Sequence, residues 1–201
     1  MQDGNINTKT QIFNTALRLF AENGYENVTV RDIANKVGIK AASIYNHYES
    51  KEQILEACYD LWLKNRNNKR LTVEQCEPII RNGTKEEVLQ IIHYDFEENI
   101  SEKLLFALFV VYSRIYTDTK AKEIFFDEMD DSMRYLEEFF KFGIKIGRLN
   151  EFNISAVSYI ILSRRVFEAL SATIHPDKNS EWYHAQDGLI DELIRIVPFK
   201  Y

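Results

Sequence analysis

The chain contains few of the residues that interrupt helices or cross-link a fold. Among its 201 residues there are seven glycines, three prolines and two cysteines. A fold of many short strands needs frequent turns, so this scarcity favours an all-α protein. Cys58 and Cys76 lie in no redox or zinc motif, and Cys58 is predicted to be a buried structural thiol. The longest apolar run, Leu104 to Tyr112, is far shorter than the roughly 20 residues that cross a bilayer.

Sequence motifs for catalysis and metal binding are missing as well. The four histidines have no metal-ligand spacing, and the chain contains neither a glycine-rich phosphate loop nor a Gly-x-Ser-x-Gly nucleophile motif. The N-terminus lacks the charged and then apolar segments of a signal peptide. We therefore expect a cytoplasmic protein that has no catalytic residues, no metal site and no cofactor, and that does not associate with a membrane.

Helical patterns dominate what the sequence does contain, and the first two lie before residue 40. An amphipathic stripe forms a long first helix that closes at Gly24. Thr29 and Asp32 have the spacing of a capping box for a helix that starts at Val30. Gly38 can end that helix in the left-handed conformation, because it has no Cβ. The sequence therefore predicts a scaffold helix followed by a short capped one.

A second short helix is predicted from about Lys40 or Ala41 to Tyr48. Ile44 and Tyr48 are four residues apart and should point toward the domain interior, which leaves the intervening side chains outside. Two short helices that flank a tight turn form a helix-turn-helix, whose second helix enters the major groove of double-stranded DNA. The sequence therefore predicts a helix-turn-helix DNA-binding domain over residues 1–55.

Two sets of DNA contacts are predicted in this domain. Lys51 follows the capping box of Ser50 and Gln53, where first-turn amides and a cation can hold a phosphate. Asn46 can bond to an adenine edge if it points into the groove. The residues predicted to contact phosphates are Thr29, Tyr45, His47 and Lys51. The residues predicted to face bases are Lys40, Ala41, Ala42, Ser43 and Asn46.

The stretch from about Lys9 to Leu55 resembles the N-terminal domain of TetR-family transcriptional regulators. The matching string is Thr-x-x-x-Ile-Ala-x-x-Val-Gly-Ile, followed by Ser43-Ile44-Tyr45-x-His47-Tyr48-x-Ser50-Lys51-Glu52. The sequence departs from the family pattern at Lys40, Ala42 and Tyr48, so a base preference cannot be transferred from a relative. The resemblance implies a dimeric repressor that a small molecule controls.

The net charge of −6 is unevenly distributed. Residues 1–55 contain six basic and six acidic side chains, so the negative excess lies entirely in residues 56–201. A DNA-binding domain needs only a local positive face and helix N-terminal amides to hold phosphates. The overall acidity therefore does not exclude DNA as a partner.

Residues 56–201 are predicted to form a helical ligand-binding and dimerisation domain. Pro78 and the Asn82-Gly83 pair predict a turning or poorly ordered connection after about Arg70. The segment from Leu104 to Val111 is apolar nearly all round, so we expect it at the centre of this domain. Its helices are predicted at about 84–99, after Ser101, 118–146 with a possible split near Asp127, 155–174 and 180–197. Together with the N-terminal helices they number about nine.

The last two of these helices carry more apolar surface than one domain can cover. Packing them against their copies in a second subunit buries the surplus, so we expect a symmetric homodimer. The alternative is a monomer in which these helices complete a core. A dimer requires an inverted-repeat operator in double-stranded DNA. The segment Gly143-x-x-x-Gly147-Arg148-Leu149 again resembles TetR-family chains, just before their dimer-forming helices.

A small, largely apolar or aromatic effector is the predicted regulator. The residues predicted to line its cavity are Tyr112, Phe125, Met129, Met133, Tyr159 and Phe167. Each of these side chains also fits an ordinary core position. The alternative functions are a nucleoid or protein-interaction factor on the same scaffold without small-molecule control, and a small helical enzyme. An enzyme would need a convergent set of ionisable groups, and the sequence does not supply one.

Overall fold

The computed structural model describes residues 7–66, 71–92, 101–174 and 189–200. These residues form ten α-helices, a 3-10 turn at Tyr25–Asn27 and an isolated bridge between Leu149 and Phe199. The helices are α1 (Thr8–Asn23), α2 (Val30–Val37), α3 (Ala41–Ile44), α4 (Lys51–Arg66), α5 (Val73–Asn82), α6 (Lys85–Ile92), α7 (Glu102–Ser113), α8 (Thr119–Lys145), α9 (Ile154–Ile174) and α10 (Leu189–Ile196). The all-α class is confirmed.

The chain divides by its contacts into two units. Unit 1 holds the described residues of Met1–Lys69 and Ser101–Phe125, and unit 2 holds those of Arg70–Ile100 and Phe126–Tyr201. This division does not follow the predicted boundary after residue 55, because contacts rather than chain order define it. The functional division into residues 1–55 and 56–201 stays a prediction.

Unit 1 is built on α1, which buries one face and exposes the other. Its buried residues recur every three or four positions, as an amphipathic helix requires, and are Ile12, Ala16, Leu17, Phe20 and Ala21. α7 packs against α1 and α4. Sequence analysis placed this helix at the centre of the C-terminal domain, and that placement is corrected here. An all-round apolar surface predicts that a helix is surrounded, but it does not identify its neighbours.

The helix ends of unit 1 follow the predicted capping in most places. Thr29 and Asp32 form the predicted capping box, and Gly38 ends α2 in the left-handed conformation with φ 81°. The Ser50 hydroxyl accepts from the Gln53 N–H at 3.2 Å. The Gln53 side chain, however, accepts from the N–H of Glu49 at 2.8 Å, one residue before the predicted partner.

Unit 2 contains a helix that the sequence analysis did not predict. Residues Val73–Asn82 form α5 although Pro78 lies inside it. Thr72 and Gln75 make a complete capping box at its start, and Cys76 and Ile80 bury one face four residues apart. The predicted turning connection is therefore wrong for Val73–Asn82, because the cap and the buried face outweigh the single backbone hydrogen bond that proline removes. The predicted turn at Asn82 and Gly83 does coincide with the end of α5.

α8 and α9 carry much of the core of unit 2. α8 runs unbroken through Asp127, so the possible split is not present. Near the end of α8, Gly143 lets Leu149 pack closely, because a Cβ at Gly143 would lie 2.7 Å from Leu149 Cδ1. The core is formed by Cys76, Ile80, Val88, Leu89, Ile92, Leu136, Phe139, Phe140, Leu149, Val157, Ile161, Leu193, Val197 and Phe199. The predicted helix 180–197 is described only from Leu189 onward.

Candidate nucleic-acid interface

The segment from Lys40 to Tyr48, the recognition segment, is anchored by two side chains and exposes most of the others. Ile44 and Tyr48 are buried, as predicted from their spacing. Tyr45 is 56% exposed. Lys40, Ala42 and Asn46 are also exposed, whereas Ala41, Ser43 and His47 are half-buried. The segment therefore has a fixed inner edge and an outer edge that a groove can receive.

The helical part of this segment is shorter than predicted. α3 ends at Ile44, and residues 45–47 continue as turns. The N–H groups of His47 and Tyr48 both donate to the Ile44 carbonyl, at 2.9 and 3.0 Å. Lys40 makes no side-chain cap at the start of α3. Tightened bonding of this kind is usual at helix ends, so the predicted helix to Tyr48 is corrected to a single helical turn followed by turns.

Thr29, a predicted phosphate contact, is exposed but has its hydroxyl proton engaged. Thr29 Oγ1 donates to Asp32 Oδ2 at 2.6 Å and accepts from the Asp32 N–H at 3.2 Å. The side-chain and backbone hydrogen bonds from Thr29 hold the pKa of the Asp32 carboxyl below its usual value. A phosphate contact through this hydroxyl therefore requires that Thr29 release Asp32.

Lys51, the predicted phosphate anchor, is half-buried and already makes internal contacts. Its Nζ donates to the carbonyl oxygens of Tyr25 at 3.0 Å and Val28 at 2.9 Å. The same ammonium group lies 3.9 Å from the centre of the Tyr25 ring. Lys51 thus ties the start of α4 to the segment that leads into α2, and its predicted phosphate contact would come in addition to this role.

Lys9 is a cation beside the recognition segment that the sequence analysis did not identify. Its Nζ lies 5.2 Å from the centre of the Tyr48 ring, at an exposed position of α1. The sequence shows that Lys9 is one of six basic residues in 1–55, but only the fold brings it next to Tyr48. Lys9 can therefore join the candidate phosphate contacts.

The six residues predicted to line an effector cavity are divided between the two units. Tyr112 and Phe125 lie in unit 1, with ring centres 5.0 Å apart in an edge-to-face contact. Met129 and Met133 are half-buried on α8 of unit 2. Tyr159 and Phe167 on α9 are 67% and 54% exposed in the single chain. Side chains as exposed as Tyr159 and Phe167 do not line an enclosed cavity within a single chain. The effector cavity therefore stays a prediction.

Cys58 and Cys76 are both buried free thiols. Burial raises the pKa of the Cys58 thiol to about 12, and its Sγ donates to the Ile54 carbonyl at 3.2 Å. A thiol held in its protonated form reacts poorly. The prediction of a buried structural thiol at Cys58 is confirmed.

α2, the turn at Gly38 and α3 form a helix-turn-helix, in which the buried Ile44 and Tyr48 hold an otherwise exposed recognition segment. The sequence model of the tetR family of bacterial regulatory proteins matches residues 12–58. The match covers α2, α3 and the first half of α4, so this part of the chain is similar to the N-terminal domain of tetR-family regulators.

Curated sequence relatives match part of the chain. The biofilm operon icaADBC negative transcriptional regulator IcaR of Staphylococcus aureus (strain Newman) is 36% identical over 74 residues. That match covers 33% of this chain and 40% of IcaR. The similarity thus spans about two fifths of the length of such curated relatives.

Solved structures share the fold along nearly the whole chain. A transcriptional regulator from Saccharomonospora viridis, solved in complex with choline, superposes with a TM-score of 0.64 at 18% identity, covering 96% of this chain and 98% of that one. The TetR-family regulator PfmR from Thermus thermophilus gives a TM-score of 0.63 at 23% identity, covering 92% and 97%. Among the helices of the described ranges, none combines the length and apolarity that a membrane crossing needs.

Proposed function

We propose that this protein is a sequence-specific DNA-binding transcriptional repressor that a small, largely apolar or aromatic effector releases from an inverted-repeat operator. The observation that carries this proposal is the exposed edge of residues 40–48, held by the buried Ile44 and Tyr48. Side chains held in this way can contact base edges without the loss of conformational entropy that ordering a free loop would require. The repressor role is supported by IcaR, whose name describes a negative regulator.

The proposed operator symmetry follows from a proposed homodimer. Tyr159, Ile160 and Phe167 on α9 and Ile196 on α10 are large apolar side chains exposed on the single chain. Exposed apolar side chains grouped on two helices are typical of a protein interface. A two-fold dimer presents its recognition segments about 34–36 Å apart, or at a multiple of that distance, so its operator has two matching half-sites.

The proposed DNA contacts fall into two sets: contacts to phosphates, which determine affinity, and contacts to bases, which determine sequence preference. Lys40, Ala41, Ala42, Ser43 and Asn46 are proposed to face bases, and Thr29, Tyr45, His47 and Lys51 to face phosphates. The effector is proposed to act by favouring a conformation in which the two recognition segments no longer match the operator. The Saccharomonospora viridis regulator was solved in complex with choline, which supports small-molecule binding on this fold. The effector class proposed for the present chain is based on its own aromatic and sulfur-bearing residues.

Selection from a random duplex library at low salt tests the DNA-binding proposal. Wild-type protein should enrich an inverted repeat, and failure to enrich any duplex would refute the proposal. Asn46→Ala should relax the preference at one position of each half-site, at a cost of about 1–3 kcal/mol against the best site. Asn14→Ala is the matched control, because Asn14 is an exposed asparagine on α1, outside the recognition segment.

Effector control is tested on the selected duplex. A panel of lipophilic and aromatic compounds is screened for a rise in the melting temperature of the protein, which a ligand of the native state produces. A compound that raises the melting temperature should also weaken binding to the duplex. If stabilising compounds leave DNA binding unchanged, the DNA-binding role stands but small-molecule release does not.

A further inference from the structure

The Tyr25 ring lies between two cationic side chains. Lys51 Nζ is 3.9 Å and the Arg114 guanidinium carbon 4.4 Å from its centre. The Tyr25 hydroxyl donates to Glu52 Oε1 at 3.0 Å. Burial, followed by this hydrogen bond, raises the pKa of Tyr25, so the phenol stays a neutral donor. Two cations against one buried ring fix the ring in position.

Arg114 contacts this ring although it lies outside residues 12–58, the part of the chain that matches the tetR-family sequence model. It caps the end of α7, and its Nη1 donates to Glu26 Oε1 at 2.9 Å. Its Nε lies 3.6 Å from Asp118 Oδ2. Only 10% of the Arg114 side chain is exposed, against 71% for Glu26. A buried guanidinium is retained only when carboxylates compensate its lost hydration, and here Glu26 and Asp118 supply them.

The contacts of Arg114 and Lys51 converge on one short stretch of backbone. Lys51 holds the carbonyl oxygens of Tyr25 and Val28, while Arg114 holds the Tyr25 ring and the Glu26 carboxylate. The residue that follows Val28 is Thr29, the N-cap of α2. The direction in which α2 leaves this stretch determines where the recognition segment lies.

We propose that Arg114 is a positioning residue for DNA binding: from the end of α7 it fixes Tyr25 and Glu26, and through them the orientation of α2 and the recognition segment. This inference rests on the proposed function. Because its side chain is nearly enclosed, Arg114 acts through Tyr25 and Glu26 rather than by touching a phosphate. Arg114 thus contributes to DNA binding although it lies in residues 56–201, outside the predicted DNA-binding domain.

The test compares Arg114→Lys with Arg18→Lys. Lysine keeps the charge but loses the planar fork and its contact with the ring. Arg18 is the matched control, since it also pairs with a glutamate, Glu102 at 2.8 Å, and lies over an aromatic ring, Phe106 at 5.6 Å. Its side chain is exposed, and these contacts join α1 to α7 without involving residues 25–28.

Hydrogen exchange in the free protein is the first measurement. In Arg114→Lys the amides of residues 28–48 should exchange faster than in wild type, while those of α1 keep their protection. Arg18→Lys should leave residues 28–48 unchanged. Glu26→Gln, which alters only the exposed partner, should give a smaller effect in the same region and provides the answer if Arg114→Lys does not fold. Unchanged exchange at residues 28–48 in the folded variants would overturn the proposal.

Affinity for the duplex selected with wild-type protein is the second measurement. Arg114→Lys should bind at least about fivefold more weakly, and Arg18→Lys within about twofold of wild type. The slope of affinity against salt should stay the same, because no phosphate contact is lost; a slope reduced by about 0.9 would make Arg114 a direct contact and overturn the proposal. If wild-type protein binds no duplex, the proposed function fails, whereas the exchange experiment still decides the positioning role.

Discussion

Thr29 and Asp32 are joined by three hydrogen bonds at the start of α2. Asp32 Oδ2 accepts from both the N–H and the hydroxyl of Thr29, at 2.8 and 2.6 Å, and Thr29 Oγ1 accepts from the Asp32 N–H at 3.2 Å. The pair satisfies helix N-terminal donors that would otherwise need water. It also places a carboxylate beside residues proposed to meet phosphates, so its hydrogen bonds set how accessible the Thr29 hydroxyl is.

Thr29→Val should lower the free energy of unfolding by about 1 kcal/mol, because it removes the side-chain acceptor of the cap. It should also raise the pKa of Asp32 toward its usual value, since the Thr29 hydroxyl is the main cause of the depression. Denaturant unfolding and carboxyl NMR titration measure the two effects. Thr10→Val, at an exposed position of α1, should change neither. An unchanged pKa of Asp32 would contradict the assigned hydrogen bond.

The pH dependence of the cap has a definite sign. A carboxyl whose pKa is lower in the folded state contributes stability above its unfolded pKa, about 3.9, and loses it as the pH falls through the folded pKa. In Thr29→Val this acid-induced loss should shrink, because the folded and unfolded pKa values of Asp32 move closer together.

Lys51→Met should weaken both folding and DNA binding. The variant keeps much of the apolar stem but removes the two hydrogen bonds to Tyr25 and Val28, at an expected cost of about 2 kcal/mol in unfolding free energy. Lys40→Met, at an exposed site, should leave stability unchanged. Thermal unfolding and titrations of the selected duplex at several salt concentrations measure these effects. If Lys51 also contacts a phosphate, the salt slope of its variant falls by about 0.9; an unchanged slope would confine Lys51 to its internal role.

Features set by neighbouring residues could be predicted from the sequence. Thr29 and Asp32 form the predicted capping box. Thr84 and Glu87 form another at the start of the helix that was predicted from about residue 84, and Ser101 accepts from the Leu104 N–H at 3.3 Å. Each cap depends on residues only three positions apart, so its spacing contains the information. The buried Ile44 and Tyr48 follow in the same way from helical spacing.

Features set by distant residues could not be predicted. The internal role of Lys51 depends on Tyr25, 26 positions earlier, and the position of Arg114 depends on Glu26, 88 positions earlier. No local pattern encodes such a pairing, because it exists only once α4 and α7 are packed. α5 was missed for a different reason: Pro78 suggested a break, while its cap and buried face were stronger determinants.

Asp118→Asn should reduce the acid sensitivity of unit 1. Burial raises the pKa of Asp118, but hydrogen bonds from the Ala121 N–H, the Tyr59 hydroxyl and the Lys120 N–H, together with the charge of Arg114, lower it further than burial raises it. The folded carboxyl therefore has a lower pKa than the unfolded one. Its stabilising contribution is present above about pH 4 and is lost as the pH falls through the folded pKa.

Urea unfolding followed from about pH 7 to about pH 3 measures this effect. Asp118→Asn should be less stable than wild type at neutral pH and should approach it in acid. Asp130→Asn removes an exposed carboxylate on α8 and should not show this convergence. Parallel curves for wild type and Asp118→Asn would contradict the prediction.

Ile160→Asp should separate the proposed dimer into monomers. α9 buries Val157, Ile161 and Leu162, whereas Ile160 is 50% exposed on its other side. A carboxylate at the centre of an apolar interface loses hydration without gaining a partner, so the dissociation constant should rise by at least about 30-fold. Tyr116→Asp is the control, because Tyr116 is 93% exposed and lies in unit 1. Sedimentation velocity across a concentration series distinguishes the two variants.

Because two recognition segments must bind together, Ile160→Asp should also lose affinity for an inverted repeat while keeping its weak affinity for a single half-site. A variant that remains dimeric would move the interface away from this face of α9, and with it the predicted spacing of the half-sites.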